Sequence, residues 1–266
     1  MGHVTADVFA DGSRQAGGGA FYSALQAARL GLSARIITRG VAAEIGSLLE
    51  PYISELELVV LPSARTTVLE TLWQGTQRTQ RLLSWAGPMG EGVDVDTAIL
   101  HLAPVARETG ARWRGRAGFV GLTAQGLVRA WASEGAPITR VPLQEQLLPQ
   151  RYDAVVISEQ ERESCAALID RPGPVLVVTA AARATTLRLG DGEQRTIAVP
   201  AIGTVRDDLG AGDVFAAAFF VALREGLGAE RAASFANAAA AIRIEGVGAS
   251  AIGSRAQIDA RVSGAG

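Results

Sequence analysis

The stretch Asp207-Asp-Leu-Gly-Ala-Gly-Asp213 runs directly into the apolar segment Val214-Phe-Ala-Ala-Ala-Phe-Phe220. It reads as a glycine-bearing loop opening a long buried helix. Gly210 and Gly212 let the backbone turn tightly and aim successive N–H groups at one point. The helix N-terminus adds partial positive charge there. Such a loop forms an anion hole without a cationic side chain. Asp213 falls in the first helical turn beside that hole, where a carboxylate is placed to take a proton from an attacking hydroxyl. The competing reading makes Asp213 a plain helix cap, with no chemistry attached.

That absence of a cation matters, because all 25 basic residues are arginine and the chain has no lysine. Lysine Schiff-base enzymes and P-loop ATPases are excluded at once. Any anion must be met by arginine, backbone N–H groups, a helix N-terminus or a metal. The lysine-free, alanine-rich composition is itself the signature of a GC-rich genome. The net charge of -2 leaves no electrostatic footprint for nucleic acid. No apolar run approaches the roughly 20 residues that span a bilayer, and Met1–Ala10 lacks the pattern of a secretory signal. The single cysteine, Cys165, allows no internal disulfide, fits a reducing cytoplasm, and reads as an inert packing residue. Two histidines, His3 and His101, make no His-rich metal site.

The 266 residues suit one domain, and short apolar runs alternate with helical patterns along them. Segments 34–38, 56–61, 98–102, 118–122, 154–157 and 175–179 predict strands buried on both faces of a parallel sheet. Segments 20–30, 125–134, 160–169, 213–225 and 229–244 predict helices, so the expected class is α/β with right-handed crossovers. One region breaks the alternation. Around Gln74-Gly75 two β-rich flanks predict an antiparallel hairpin, residues 62–88, as a small lid over a site. The chain start is short for a first strand: either that strand is very short or a few residues are omitted.

The loop string resembles the D-T-x-G-A-G-D signature of the ribokinase-like (phosphofructokinase-B, PfkB) carbohydrate kinases. Gly17-Gly-Gly-Ala-Phe-Tyr-Ser-Ala-Leu-Gln-Ala-Ala-Arg-Leu-Gly31 is similar to the family's N-terminal element, and family order holds from Gly2 to about Ile252. The resemblance implies a three-layer fold, with a mostly parallel sheet flanked by helices and a β lid. It implies transfer of the ATP γ-phosphoryl group to a hydroxyl of a small polyol or sugar, with Mg²⁺ and a monovalent cation such as K⁺. By that resemblance Asp213 is the general base, and Gly210, Ala211 and Gly212 donate N–H groups to the phosphoryl. Asp7, Gly17 and Gly18 bind the acceptor, with Tyr22 where many sugar kinases carry asparagine. Glu161, with Asp208, lies on the Mg²⁺ side. Asp207, Thr179, Arg183, Asn237, Gly246 and Gly248 lie on the nucleotide side. Gln125-Gly126-x-x-Arg129 resembles an element of compact, inositol-kinase-like members and makes Arg129 an acceptor or phosphate contact. The same resemblance implies a monomer or a homodimer.

Departures from the pattern carry their own expectations. Asp208 replaces threonine, and two adjacent carboxylates beside an anion site either hold a cation or repel phosphate. Ser158 replaces asparagine in the Ser158-Glu-Gln-Glu161 element. Thr179-Ala-Ala-Ala-Arg-Ala184 has alanine at both glycine positions of the family's nucleotide loop, which is costly wherever positive φ is required. Only nine residues separate Asp7 from Gly17, read as a tight turn, so the lid falls to the 66–86 hairpin with Arg78 or Arg81 reaching the site. Two alternatives stand beside the sugar or polyol kinase. One is a nucleoside kinase, needing a stacking ring such as Phe21 or Tyr22. The other is a catalytically weak binding protein on a kinase fold.

Overall fold

The computed structural model describes residues 1–74, 77–110 and 112–264. A six-stranded sheet forms the centre. Its strands are β7 (Val93–Leu102), β8 (Trp113–Thr123), β11 (Ala154–Ser158), β12 (Val175–Ala180), β13 (Arg183–Arg188) and β14 (Gln194–Ile197). The order is β14-β13-β12-β11-β8-β7; the four from β7 to β12 run parallel, and β13 and β14 are antiparallel additions at one edge. Beyond the β7 edge, β3 (Arg35–Gly40) and β4 (Glu57–Pro62) form a parallel pair. The first residues bridge the two. The Met1 ammonium donates to the His101 carbonyl at 2.7 Å, Ala103 N–H to Met1 O at 2.9 Å, and Gly2 N–H to Ile37 O at 3.2 Å.

The middle of the sheet is buried on both faces because β11 and β12 carry apolar side chains at successive positions. In β11, Ala154 and Val156 join one core while Val155 and Ile157 join the other. The first core is covered by α1 (Gly19–Arg29), α4 (Ala211–Arg224), α5 (Ala229–Ile244) and α6 (Arg255–Val262). Phe215, Phe219 and Phe220 of α4 fill it, and burying each such ring stabilises the fold by about 1.5–3 kcal/mol. A further helix, α2 (Ala42–Leu49), packs on β4 and on residues Arg14–Gly17.

The second core is covered differently from expectation. The helix predicted over 125–134 is absent. Ala124–Val128 is a single 3-10 turn, and Arg129–Ala130 is the extended strand β9, paired with β10 (Thr139–Arg140). Tertiary contacts override the local pattern. Arg129 is drawn inward by hydrogen bonds to Val105 O at 3.0 Å and Gln80 Oε1 at 2.9 Å, and a helix from Gln125 would leave both unmade. The helix predicted over 160–169 is likewise reduced to a 3-10 turn, Glu159–Glu161, and one α turn, α3 (Ala166–Ile169).

The tight turn expected between Asp7 and Gly17 is also corrected. An Asp11–Ser13 turn, with Ser13 N–H on Asp11 Oδ1 at 2.9 Å, leaves room for two strands, β1 (Thr5–Phe9) and β2 (Arg14–Gly17). They join the predicted hairpin, β5 (Thr67–Gln74) and β6 (Gln77–Ser84), in a four-stranded sheet of order β2-β1-β5-β6. The small sheet is thus twice the size expected. Gly75, at the predicted hairpin turn, lies outside the described residues. Among the described residues, no helix is long and apolar enough to cross a membrane.

Candidate active site

Where the small sheet faces the C-terminal ends of β8, β11 and β12, a pocket of about 120 Å³ opens. The α4 N-terminus forms its floor. Gly210 caps that helix in the left-handed conformation, φ 77°, and a Cβ there would lie 2.4 Å from the Tyr22 ring. Glycine is therefore required twice over, for the conformation and for the contact. The Ala211 N–H turns back onto the Asp208 carbonyl at 3.2 Å, so the anion hole rests on the N–H groups of Gly210 and Gly212 rather than on all three.

The loop before α4 is held from behind by a residue the sequence reading did not single out. Arg243, fully buried, donates to Asp207 O at 3.1 Å, Asp207 Oδ2 at 2.7 Å and Leu209 O at 2.7 Å, and its guanidinium lies 5.6 Å from the Tyr22 ring centre. Asp207 also accepts from Leu209 N–H and from Gly248 N–H at 2.9 Å. Burial alone would push its carboxyl up. The hydrogen bonds from Arg243, Leu209 and Gly248, with the Arg243 charge, outweigh it and hold the carboxyl below its ordinary range. Asp207 thus ties the anion loop to the Gly246–Ser250 turn and does not line the pocket.

Asp213 stands in the first turn of α4 with its carboxylate facing the pocket. A Cβ on Gly19 would lie 2.7 Å from its Oδ1, so α1 can approach only through that glycine. Burial raises the Asp213 pKa from an ordinary 3.8 to about 7; the nearby Arg129 opposes the rise, while Glu161 and Asp7 add to it. Asp7 reaches the same pocket from β1, held by the Thr5 hydroxyl at 2.6 Å. Burial raises its pKa to about 6 against the Thr5 hydrogen bond and the charges of Arg129 and Arg78. Gly17, opposite Thr5 on β2, leaves the Asp7 carboxylate its space, since a Cβ there would overlap it at 2.2 Å.

Of the residues named from the sequence, the pocket collects Asp7, Gly18, Tyr22, Arg129, Glu161, Thr179, Asp208, Gly210, Gly212 and Asp213. It leaves others outside. Asn237 is buried with its amide spent on Thr185 Oγ1 at 2.9 Å and Ala198 O at 3.1 Å. Arg183 is exposed on β13. In the alanine-substituted loop, Ala181 keeps a left-handed conformation, φ 53°, at the first of the two glycine positions. The pocket also contains Arg78 of β6, one of the two hairpin arginines expected to reach it, and Gln80, which the sequence did not mark. Strand periodicity separates Arg78 from Arg81: Arg78 faces the pocket, whereas Arg81 lies 3.7 Å from Glu70.

Glu161 is 5% exposed and accepts the Ser158 N–H at 2.8 Å through one carboxylate oxygen. Its position in the pocket fits a Mg²⁺ that keeps most of its waters and takes phosphate oxygens as ligands. Among the described residues no cluster of three or more His, Cys, Asp or Glu side chains forms a protein cage for a metal.

The glycine-bearing start of α4, the Asp213 carboxylate beside it and the Asp7 carboxylate from the small sheet thus stand together in one pocket. The fold is the ribokinase-like fold of several solved small-molecule kinases. A pyrophosphate-dependent kinase of the ribokinase family, solved as a sulfate complex, is 22% identical over 98% of both chains, with a TM-score of 0.77. A pyrophosphate-dependent myo-inositol-1 kinase is 23% identical over 99% of this chain and 97% of that one, at 0.74. Ribokinase of Arabidopsis thaliana with ribose and ATP is 17% identical over 98% and 96%, at 0.73. No curated protein sequence matches significantly. Residues 138–255 match the profile of the pfkB family carbohydrate kinases.

Proposed function

We propose that this protein transfers a phosphoryl group to a hydroxyl of a small polyol or sugar. One observation carries the reading: the buried Asp213 carboxylate in the first turn of α4 shares one pocket with Gly210, Gly212 and Asp7, and burial raises its pKa to about 7. Asp7 accepts hydrogen bonds from acceptor hydroxyls and orients one of them. Asp213 takes that hydroxyl's proton as its oxygen bonds to phosphorus and the bond from phosphorus to the donor's leaving oxygen breaks. A base whose pKa lies near the working pH is effective in such a transfer. The amides and the α4 N-terminus meet charge spread over the phosphoryl oxygens without reorganising. Mg²⁺, held near Glu161 through water, supplies neutralisation of the donor phosphates when bound.

The donor in this reading is ATP, as in the Arabidopsis ribokinase complex. Inorganic pyrophosphate is a second reading, favoured by the donor side of the site. Alanines replace both loop glycines there, Asn237 is committed to internal hydrogen bonds, and Arg183 points to solvent. Three structural neighbours are also pyrophosphate-dependent kinases. A nucleoside acceptor is less well supported. Phe21 is buried in the core, and Tyr22, the one aromatic ring among the described lining residues, is packed against Gly210.

The test is a panel of myo-inositol, other polyols, monosaccharides and nucleosides, each with Mg·ATP or Mg·pyrophosphate, followed by ³¹P NMR. Phosphorylation of a polyol or sugar that is lost in Asp213→Asn supports the reading. Full activity in Asp213→Asn overturns the mechanism, and ligand binding without turnover leaves a binding protein on a kinase fold.

A further inference from the structure

We infer that Arg78, on the small sheet, is the side-chain cation that meets the transferring phosphoryl group, and that Asp208 holds it in place until phosphate displaces the ion pair. The inference rests on the kinase reading and names a residue that reading does not require.

The pocket contains four carboxylates, Asp7, Glu161, Asp208 and Asp213, and two arginines, Arg78 and Arg129. Arg129 is spent. It is buried, donates to Val105 O and Gln80 Oε1, and faces Glu161, Asp213 and Asp7. Arg78 makes no hydrogen bond to a described residue. Its guanidinium lies 3.7 Å from Asp208 Oδ1, across the gap between the small sheet and the anion loop, and 6.0 Å from the centre of the cross-strand Trp73 ring. Both partners of the pair are partly exposed, at 31% and 54%, so the contact is weak and exchangeable.

Asp208 sits two residues before Gly210 and so delivers Arg78 to the mouth of the anion hole. A phosphate offers the guanidinium two charged oxygens in bidentate geometry, a stronger partner than one carboxylate oxygen at 3.7 Å. Binding of phosphate would therefore move Arg78 off Asp208 and draw the small sheet down over the pocket. In a chain without lysine, and with Arg129 engaged, Arg78 is the cation in the pocket left to do this.

The experiment is isothermal titration calorimetry with inorganic pyrophosphate and excess MgCl₂ at pH 7.5, on wild type, Arg78→Ala, Arg78→Lys and Asp208→Asn. Circular dichroism confirms that each is folded. Loss of a charge-assisted contact predicts about ten- to hundredfold weaker binding in Arg78→Ala. Arg78→Lys recovers only part, because a point charge cannot bind bidentately. Asp208→Asn tightens binding about two- to fivefold, the worth of an exposed pair. Trp73 emission shifts on binding in wild type but not in Arg78→Ala. Wild-type affinity in Arg78→Ala overturns the inference alone, as does weaker, Mg²⁺-dependent binding in Asp208→Asn, which would make Asp208 a metal ligand. Failure of the wild type to bind either pyrophosphate or Mg·ATP overturns the kinase reading and this inference together.

Discussion

Replacing Asp213 by asparagine should make the protein more stable, and only at the higher pH. Burial raises the carboxyl from 3.8 to about 7, so between those values the folded chain holds a proton that the unfolded chain releases. Stability must then fall as pH rises from about 4 through about 7, the reverse of an ordinary salt-bridged aspartate. Each tenfold change in proton affinity is worth 1.36 kcal/mol, which sets a ceiling of about 4 kcal/mol. The pocket admits water, so roughly half of that, about 2 kcal/mol, is expected. Asparagine keeps the shape and removes the charge. It also relieves Asp7, whose charge helps to raise Asp213. Urea unfolding at pH 4.5 and pH 8.5 gives the test: Asp213→Asn and wild type should nearly coincide at the lower pH, with the variant about 2 kcal/mol more stable at the higher. Equal stability at pH 8.5, or an equal gain at both, refutes a buried, proton-holding base. Turnover should move oppositely, with wild-type kcat/KM rising through about pH 7 and the variant losing about 10²–10⁴-fold.

Three further substitutions test the frame around that base. Gly210→Ala forces a Cβ within 2.4 Å of the Tyr22 ring at a left-handed position, so it should lower the unfolding free energy in urea by about 2 kcal/mol or more and abolish turnover. Ala181→Gly removes left-handed strain of about 1–2 kcal/mol and restores some chain entropy to the unfolded state, for a net gain of up to about 1 kcal/mol in the same assay. Arg243→Met strips the buried partner from Asp207 and two loop carbonyls; a loss of about 3–5 kcal/mol is expected, with faster hydrogen exchange at residues 207–212.

Much of the site was legible because its chemistry is local. The Asp207–Asp213 string needs only its own glycines and the helix it starts to form an anion hole, and α4 begins at Ala211 as that pattern requires. The apolar strands at 154–157 and 175–179 were legible for a similar reason: a strand buried on both faces must be apolar throughout. Where the pattern misled, distant partners decided. A helix from Gln125 satisfies local propensity, but the hydrogen bonds to Val105 and Gln80 are worth more than one exposed helical turn. Antiparallel β13 and β14, at the sheet edge, carry mixed polar sequence and gave no continuous apolar run to read.

The arginines show the division most clearly. Sequence alone determined that any cation near the phosphoryl group must be arginine, because the chain has no lysine. It also offered the proposed base and amide hole, since those lie within seven consecutive residues. Which arginine does what was decided only by the tertiary structure. Arg129 is anchored to Val105 and Gln80 in the pocket wall, Arg243 props the loop before α4 from inside the core, Arg183 faces solvent, and Arg78 leans across from the small sheet. Each assignment depends on groups brought from far along the chain, and the range of a guanidinium is set by what it meets in space, not by its neighbours in sequence.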